Sequence, residues 1–243
     1  MLNSLSLQLE TEWFNQRLHD GGPIYTETNL DHFIVEPWNA LSSLLIVLPA
    51  VYWLFQIRGQ FRNYKFLVYS IPLMILGGTG STLFHAFRAS RLFLIMDILP
   101  TAILTLSLMI YFWLKVFKHW WYILFVIVAS IGVRFLFFGR LPDFMAINIS
   151  YIITGILIGI PLIIIQVKSK YYKMAHVLLA ILFFILAILF REMDSWTFHL
   201  LPMGTHFLWH AFTGVGAYFI LSYLYFFRKR EVDSLSLDTI GNY

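Results

Sequence analysis

Residues 66–87 read FLVYSIPLMILGGTGSTLFHAF, a run of 22 residues without a formal charge, and its length decides the fold class. As an α-helix at 1.5 Å per residue it covers about 33 Å, enough to cross a hydrocarbon core of about 30 Å. Six comparable stretches follow from length and hydropathy, giving about seven spans: Val35–Phe55, Phe66–Phe87, Leu92–Leu114, Trp120–Phe138, Phe144–Gln166, Ala175–Phe190 and Thr205–Phe227. The fourth and sixth are short, and the sixth can extend through Asp194. The chain of 243 residues is 59% hydrophobic and only 12% charged, about half the charged fraction of a soluble domain, so it lacks the surface a globular protein needs. The expected class is an all-α, multi-pass integral membrane protein, a seven-transmembrane helix bundle. An extramembrane arm (1–34) precedes the seven-helix bundle (35–228), and a short tail (229–243) follows it.

Basic residues set the orientation. Arg58, Arg62 and Lys65 follow the first span, Lys115 and Lys118 the third, Lys168, Lys170 and Lys173 the fifth, and Arg228, Lys229 and Arg230 the seventh. The alternate loops hold fewer. By the positive-inside rule the lysine-rich loops and the C-terminus are cytoplasmic and the N-terminus is outside or lumenal. Met1–Leu9 has neither a basic segment nor a long apolar one, so the first span is expected to act as its own insertion signal.

That topology brings several polar residues to one depth. His85 falls near the outer end of the second span, Asp97 one or two turns inside the third, and His206 and His210 in the first two turns of the seventh. Ionisable residues in hydrocarbon are costly and mark functional positions. Ser81-x-x-x-His85 and His206-x-x-x-His210 each project two side chains from one helix face, because four residues return to nearly the same direction. Three neutral imidazoles and a water form the four-coordinate arrangement of a catalytic zinc, and an all-histidine set in a chain without cysteine favours that metal. Zinc lowers the pKa of water from 15.7 to about 7, an upper bound of about 12 kcal/mol of easier deprotonation. Asp97 is then placed as general base and proton donor to a leaving amine, and Ser81 as a hydrogen-bond donor to the water or oxyanion. Taken alone, the histidine pair also fits an interhelical hydrogen bond, a proton relay or haem ligation, Ser81 fits helix packing, and Asp97 fits a pair with Arg88 or Arg91.

A second cluster, Glu27, Asn29, Asp31 and Glu36, offers oxygens to a hard cation such as calcium and fits equally a solvated acidic segment. Asn39, Ser42 and Ser43 read as interhelical contacts, and Asp194 beside Arg191 reads as an internal ion pair. Pro100 is expected to kink the third span just after Asp97.

These motifs resemble the alkaline ceramidases, within the wider group of seven-helix membrane hydrolases that includes the adiponectin and progestin receptors. The shared residues are Glu36-Pro-Trp-Asn39, Gly80-Ser81-x-x-x-His85, Asp97-x-x-Pro100, and His206-x-x-x-His210 followed by Thr213-Gly214, so the likeness runs from Glu27 to about Tyr218. The resemblance implies zinc held by His85, His206 and His210, assistance from Asp97 and Ser81, and hydrolysis of a ceramide amide to a sphingoid base and a fatty acid. It also implies a calcium site on Glu27, Asn29 and Glu36, but Ile24, Tyr25 and Thr26 replace an expected Asp-Trp pair and the Asn29-to-Glu36 spacing is shortened. Short loops and the lack of cysteine look more like a bacterial member, whose lipid can differ from ceramide. The expected partner is a membrane N-acyl lipid, not nucleic acid. The alternative is a lipid receptor or binding protein with a structural zinc. A proton pathway is less well served, because the inner halves of the second, third and seventh spans are almost wholly apolar.

Overall fold

A computed structural model describes residues 17–137, 139–141, 143–197 and 199–240, and these are helical with no strand among them. The helices are α1 (Pro37–Gln56), α2 (Lys65–Phe87), α3 (Arg91–Val116), α4 (Tyr122–Phe137), α5 (Asp143–Lys168), α6 (Met174–Met193) and α7 (His206–Ile240), with a 3₁₀ turn at Asp194–Trp196 after α6. Six are long and apolar enough to cross a membrane; α4, with 16 residues, is the short one at about 24 Å. The expected spans fall on these helices with ends shifted by a few residues. The exception is α7, which continues from the expected end at Phe227 to Ile240. Its extension is polar, so hydropathy cannot register it; an Arg228–Glu231 pair at 2.8 Å, one turn apart, helps to support it.

The chain packs as two units, with described residues 17–24 and 102–171 in the first and 25–101 and 172–240 in the second. In the first unit α4 lies against α5, and Trp113 Nε1 donates to the Leu157 carbonyl at 2.9 Å. In the second, α1 packs on both α2 and α7, and α6 packs on α7.

Two glycines set the helix spacing around the polar residues. A Cβ at Gly214 in α7 would run into the backbone of Leu45 in α1, and one at Gly80 in α2 would run into the backbone of Met96 in α3. Small residues let helix backbones approach this closely in a bilayer, where packing replaces the hydrophobic effect as the driving force. Pro100 sharpens the second contact. It has no N–H to give the carbonyl of Met96, four residues earlier, and it is against that carbonyl that Gly80 sits. Helix α3 nonetheless runs through Pro100 to Val116.

The arm is tied to the helix ends. Val35 N–H donates to the Ala86 carbonyl at 2.8 Å and Glu36 N–H to the His85 carbonyl at 3.1 Å, occupying two acceptors that the end of α2 leaves open. Pro37 opens α1, and the Glu27 carboxylate accepts from the N–H groups of Trp38 at 2.5 Å and Asn39 at 2.9 Å. A side chain ten residues before the helix thus does the work of a cap, where a negative charge is favoured by the helix dipole. Burial lifts the Glu27 carboxyl above its ordinary value, opposed by those two hydrogen bonds.

Candidate metal centre

His85, near the end of α2, and His206 and His210, in the first two turns of α7, converge on one point. Their ligand nitrogens lie within 4.8 Å of one another, all three residues are buried, and no other group of three or more His, Asp or Glu among the described residues is so arranged. Tetrahedral Zn–N bonds of about 2.0–2.1 Å set nitrogens roughly 3.3 Å apart, so an ion would draw these rings inward.

The hydrogen bonds behind two of the rings settle which nitrogen faces the centre. His85 Nδ1 meets a carboxylate oxygen of Glu36, which can only accept, so Nδ1 carries the hydrogen and Nε2 keeps its lone pair. His210 Nδ1 is engaged by a different route. The hydroxyls of Ser42 and Ser43 both donate to the Asn39 carbonyl, at 3.0 and 2.8 Å. The same hydroxyls lie 3.0 and 3.3 Å from His210 Nδ1, which engages that nitrogen and leaves Nε2 to face the centre. Histidine ligands are usually oriented in this way by a carboxylate, carbonyl or other acceptor on the far nitrogen. His206 differs: its Nδ1 is buried with no hydrogen-bond partner, and its ring is stacked on Tyr25 with centroids 3.9 Å apart. A buried imidazole nitrogen without a partner costs about 1–3 kcal/mol, which ligation or a bound water would offset. Three buried histidines, two with Nδ1 engaged by neighbouring side chains, therefore fit a metal ion.

Asp97 and Ser81 lie beside the rings. Asp97 interacts with the Ser81 hydroxyl and with His85 across the α2–α3 crossing, and Ser81 Oγ is 3.0 Å from Ser43 Oγ. The expected five residues are thus in one cluster. Arg88, a possible partner for Asp97 by sequence, instead donates from Nη1 to Glu36 at 2.5 Å.

Three further residues build the centre, and sequence reasoning assigned them other roles or none. Asp194 is not simply an ion-pair member. Its Oδ1 accepts from the N–H groups of Thr205 and His206 at 2.8 and 2.9 Å, and its Oδ2 from Thr26 N–H at 2.9 Å. It therefore caps α7 at the residue that carries a ligand ring and fastens the arm there as well. Tyr25 covers His206 and lies 5.2 Å from the His85 ring. Burial keeps its phenol protonated far above the usual range. Arg88 is the third. In the sequence Asp194 shows only as a charge at the end of an apolar stretch, and nothing local hints at Tyr25.

The proposed calcium residues have other partners. Both Glu27 oxygens cap α1, Asn29 Oδ1 accepts from Asp31 N–H at 3.0 Å, and Glu36 meets Thr28, Arg88 and His85. Calcium takes six to eight oxygens, and these are already engaged by N–H and O–H donors, so the residues as arranged do not fit that ion. No protein-family model matches the chain, and no curated protein matches it either.

Proposed function

We propose that the chain is a zinc-dependent hydrolase of the alkaline ceramidase type, cleaving the amide of a ceramide-like lipid within the membrane. The observation that carries the reading is the pairing of three buried, converging imidazoles with a carboxylate and a hydroxyl that are not needed to complete their hydrogen bonds. A site that only stored a metal would gain nothing from Asp97, which costs free energy to keep in hydrocarbon.

His85, His206 and His210 would hold the zinc, which when bound would supply Lewis acidity and make a water easier to deprotonate. Asp97 takes a proton from the attacking water at its carboxylate and returns it to the nitrogen of the departing amine. Ser81 donates to the oxygen that gains charge as the carbonyl is attacked. Tyr25, neutral and lying over His206, closes the extramembrane side. Water and amide are consumed, fatty acid and amine are released, and the protein ends as it began.

All seven helices cross the membrane, with the arm outside or lumenal and the C-terminus cytoplasmic. Support comes from the basic segments gathered at one end of the second unit: Arg228 donates to the Asn63 carbonyl at 2.9 Å, Lys173 lies 4.2 Å over Phe226 and Arg230 lies 4.8 Å over Tyr172. The metal centre is at the other end of the same helices.

Purified protein incubated with a panel of ceramides should release fatty acid, detected by lipid mass spectrometry, and a zinc chelator should stop it. Asp97→Asn should keep its metal and fold while losing at least about 10²-fold in turnover. Full activity in Asp97→Asn, or in metal-free protein, would refute the mechanism; intact metal binding with no lipid cleaved would turn the reading to a receptor.

A further inference from the structure

The Glu36 carboxylate is buried, and so is the guanidinium that meets it: both side chains have 0% exposure. Arg88 is the residue after α2, in the left-handed region at φ 47°, a conformation that costs a non-glycine residue about 1 kcal/mol or more. That turn folds its long side chain back along the helix, over the Phe84 ring at 4.5 Å, until Nη1 reaches Glu36 Oε1. The opposite oxygen, Oε2, meets His85 Nδ1. Thr28 adds its hydroxyl to Oε1 at 2.6 Å, and Asn39 Nδ2 is 3.5 Å from Oε2.

We infer that Arg88 is the resident cation of the arm, a positioning residue that pins the Glu36 side chain in place and through it fixes the His85 ring for metal, so that no divalent cation is needed at this place. The contacts run in a chain from Arg88 Nη1 through the Glu36 carboxylate to His85 Nδ1. A carboxylate this deeply buried is tolerated only when paired, and the Arg88 guanidinium pairs with it directly. Held there, Glu36 Oε2 meets His85 Nδ1 and leaves Nε2 for the metal. Without Arg88 the carboxylate loses its anchor on Oε1, and the His85 ring loses the fixed partner behind it. Arg88 touches neither metal nor substrate; it acts at two removes. A divalent ion at Glu36 would have to displace a buried, hydrogen-bonded guanidinium.

The inference rests on the metal site proposed above but not on the identity of the substrate, and its test reads metal affinity. Zinc dissociation constants are measured by chelator competition on detergent-purified full-length protein, for wild type, Arg88→Met, Glu36→Gln and the double variant. Loss of a partner behind a ligating histidine weakens metal binding about 10- to 100-fold, and each single variant is expected in that range. In the Glu36→Gln background, Arg88→Met is expected to change affinity less than about 2-fold, because the group it acts through is gone. Equal losses in both backgrounds would mean that Arg88 serves packing alone, and overturn the inference. Arg88→Met leaves an unpaired buried carboxylate. If it does not fold, comparing Glu36→Gln with the double variant, in which neither charge remains, still decides the matter. Added calcium should leave the wild-type zinc affinity unchanged; a several-fold change on adding calcium contradicts the resident-cation assignment. Wild-type zinc binding with no ceramide cleavage would sink the proposed reaction and leave this inference standing.

Discussion

Helices α1, α2 and α7 differ from α3, α5 and α6 in both composition and burial. Within their membrane-crossing windows the first three are 39%, 44% and 44% buried; α3 and α5 are 11% buried and α6 17%. The buried set contains Gly78, Gly80, Gly214, Ser42, Ser43, Ser81 and the three histidines, and is the less apolar of the two. The other set is chiefly aliphatic, with side chains such as Leu106, Ile152 and Leu178 about half exposed. A soluble protein would show the reverse, apolar helices inside and polar ones outside. In lipid the aliphatic faces are already in their preferred solvent, so close packing and polar contacts fall to the helices with small and hydrogen-bonding residues. Even Arg134 in α4 follows the rule by other means: its guanidinium meets the hydroxyls of Ser150 and Thr154 at 2.7 Å each and Ser130 at 3.3 Å.

The contrast can be broken by substitution. Gly214→Val forces a branched side chain into the Leu45 backbone and should destabilise the folded state by about 1–3 kcal/mol or more, read as a lowered unfolding midpoint in detergent. Replacing Ser42 and Ser43 together by alanine removes the two hydroxyls that hold His210 Nδ1. Zinc affinity should fall about 10- to 100-fold with little change in midpoint for the metal-free protein, a split that a purely structural role for the serines would not produce. Leu178→Ala, on the lipid-facing side of α6, should shift the midpoint by less than about 0.5 kcal/mol equivalent. A large loss at Leu178 together with tolerance at Gly214 would mean that the two sets of helices have been assigned to the wrong solvents.

Much of this was legible in the sequence, for a physical reason. A histidine or aspartate inside twenty apolar residues is conspicuous, and helical geometry converts its position into depth and facing. Hence His85, His206, His210, Ser81 and Asp97 could be brought to one level before any contact was known. The arm was not legible in this way. Tyr25, Thr26 and Glu27 reach the centre by tertiary docking, and no periodicity records what Glu27 caps or what Tyr25 covers. Arg88 and Asp194 were visible as charges but not as partners. Both are loop-end residues whose side chains fold back, one through a left-handed turn and the other onto the backbone N–H groups opening α7. The polar end of α7 escaped because hydropathy stops where charge begins.

The central claim is that the three imidazoles hold a metal. Elemental analysis of the protein purified without a metal-chelating tag measures it most directly. One zinc per chain is expected in the wild type, and a small fraction of that in His206→Ala, in which the backbone N–H of residue 206 still donates to the Asp194 carboxylate that caps α7. Wild-type protein from zinc-replete growth that carries no zinc or other transition metal, or His206→Ala retaining a full equivalent, would contradict the account.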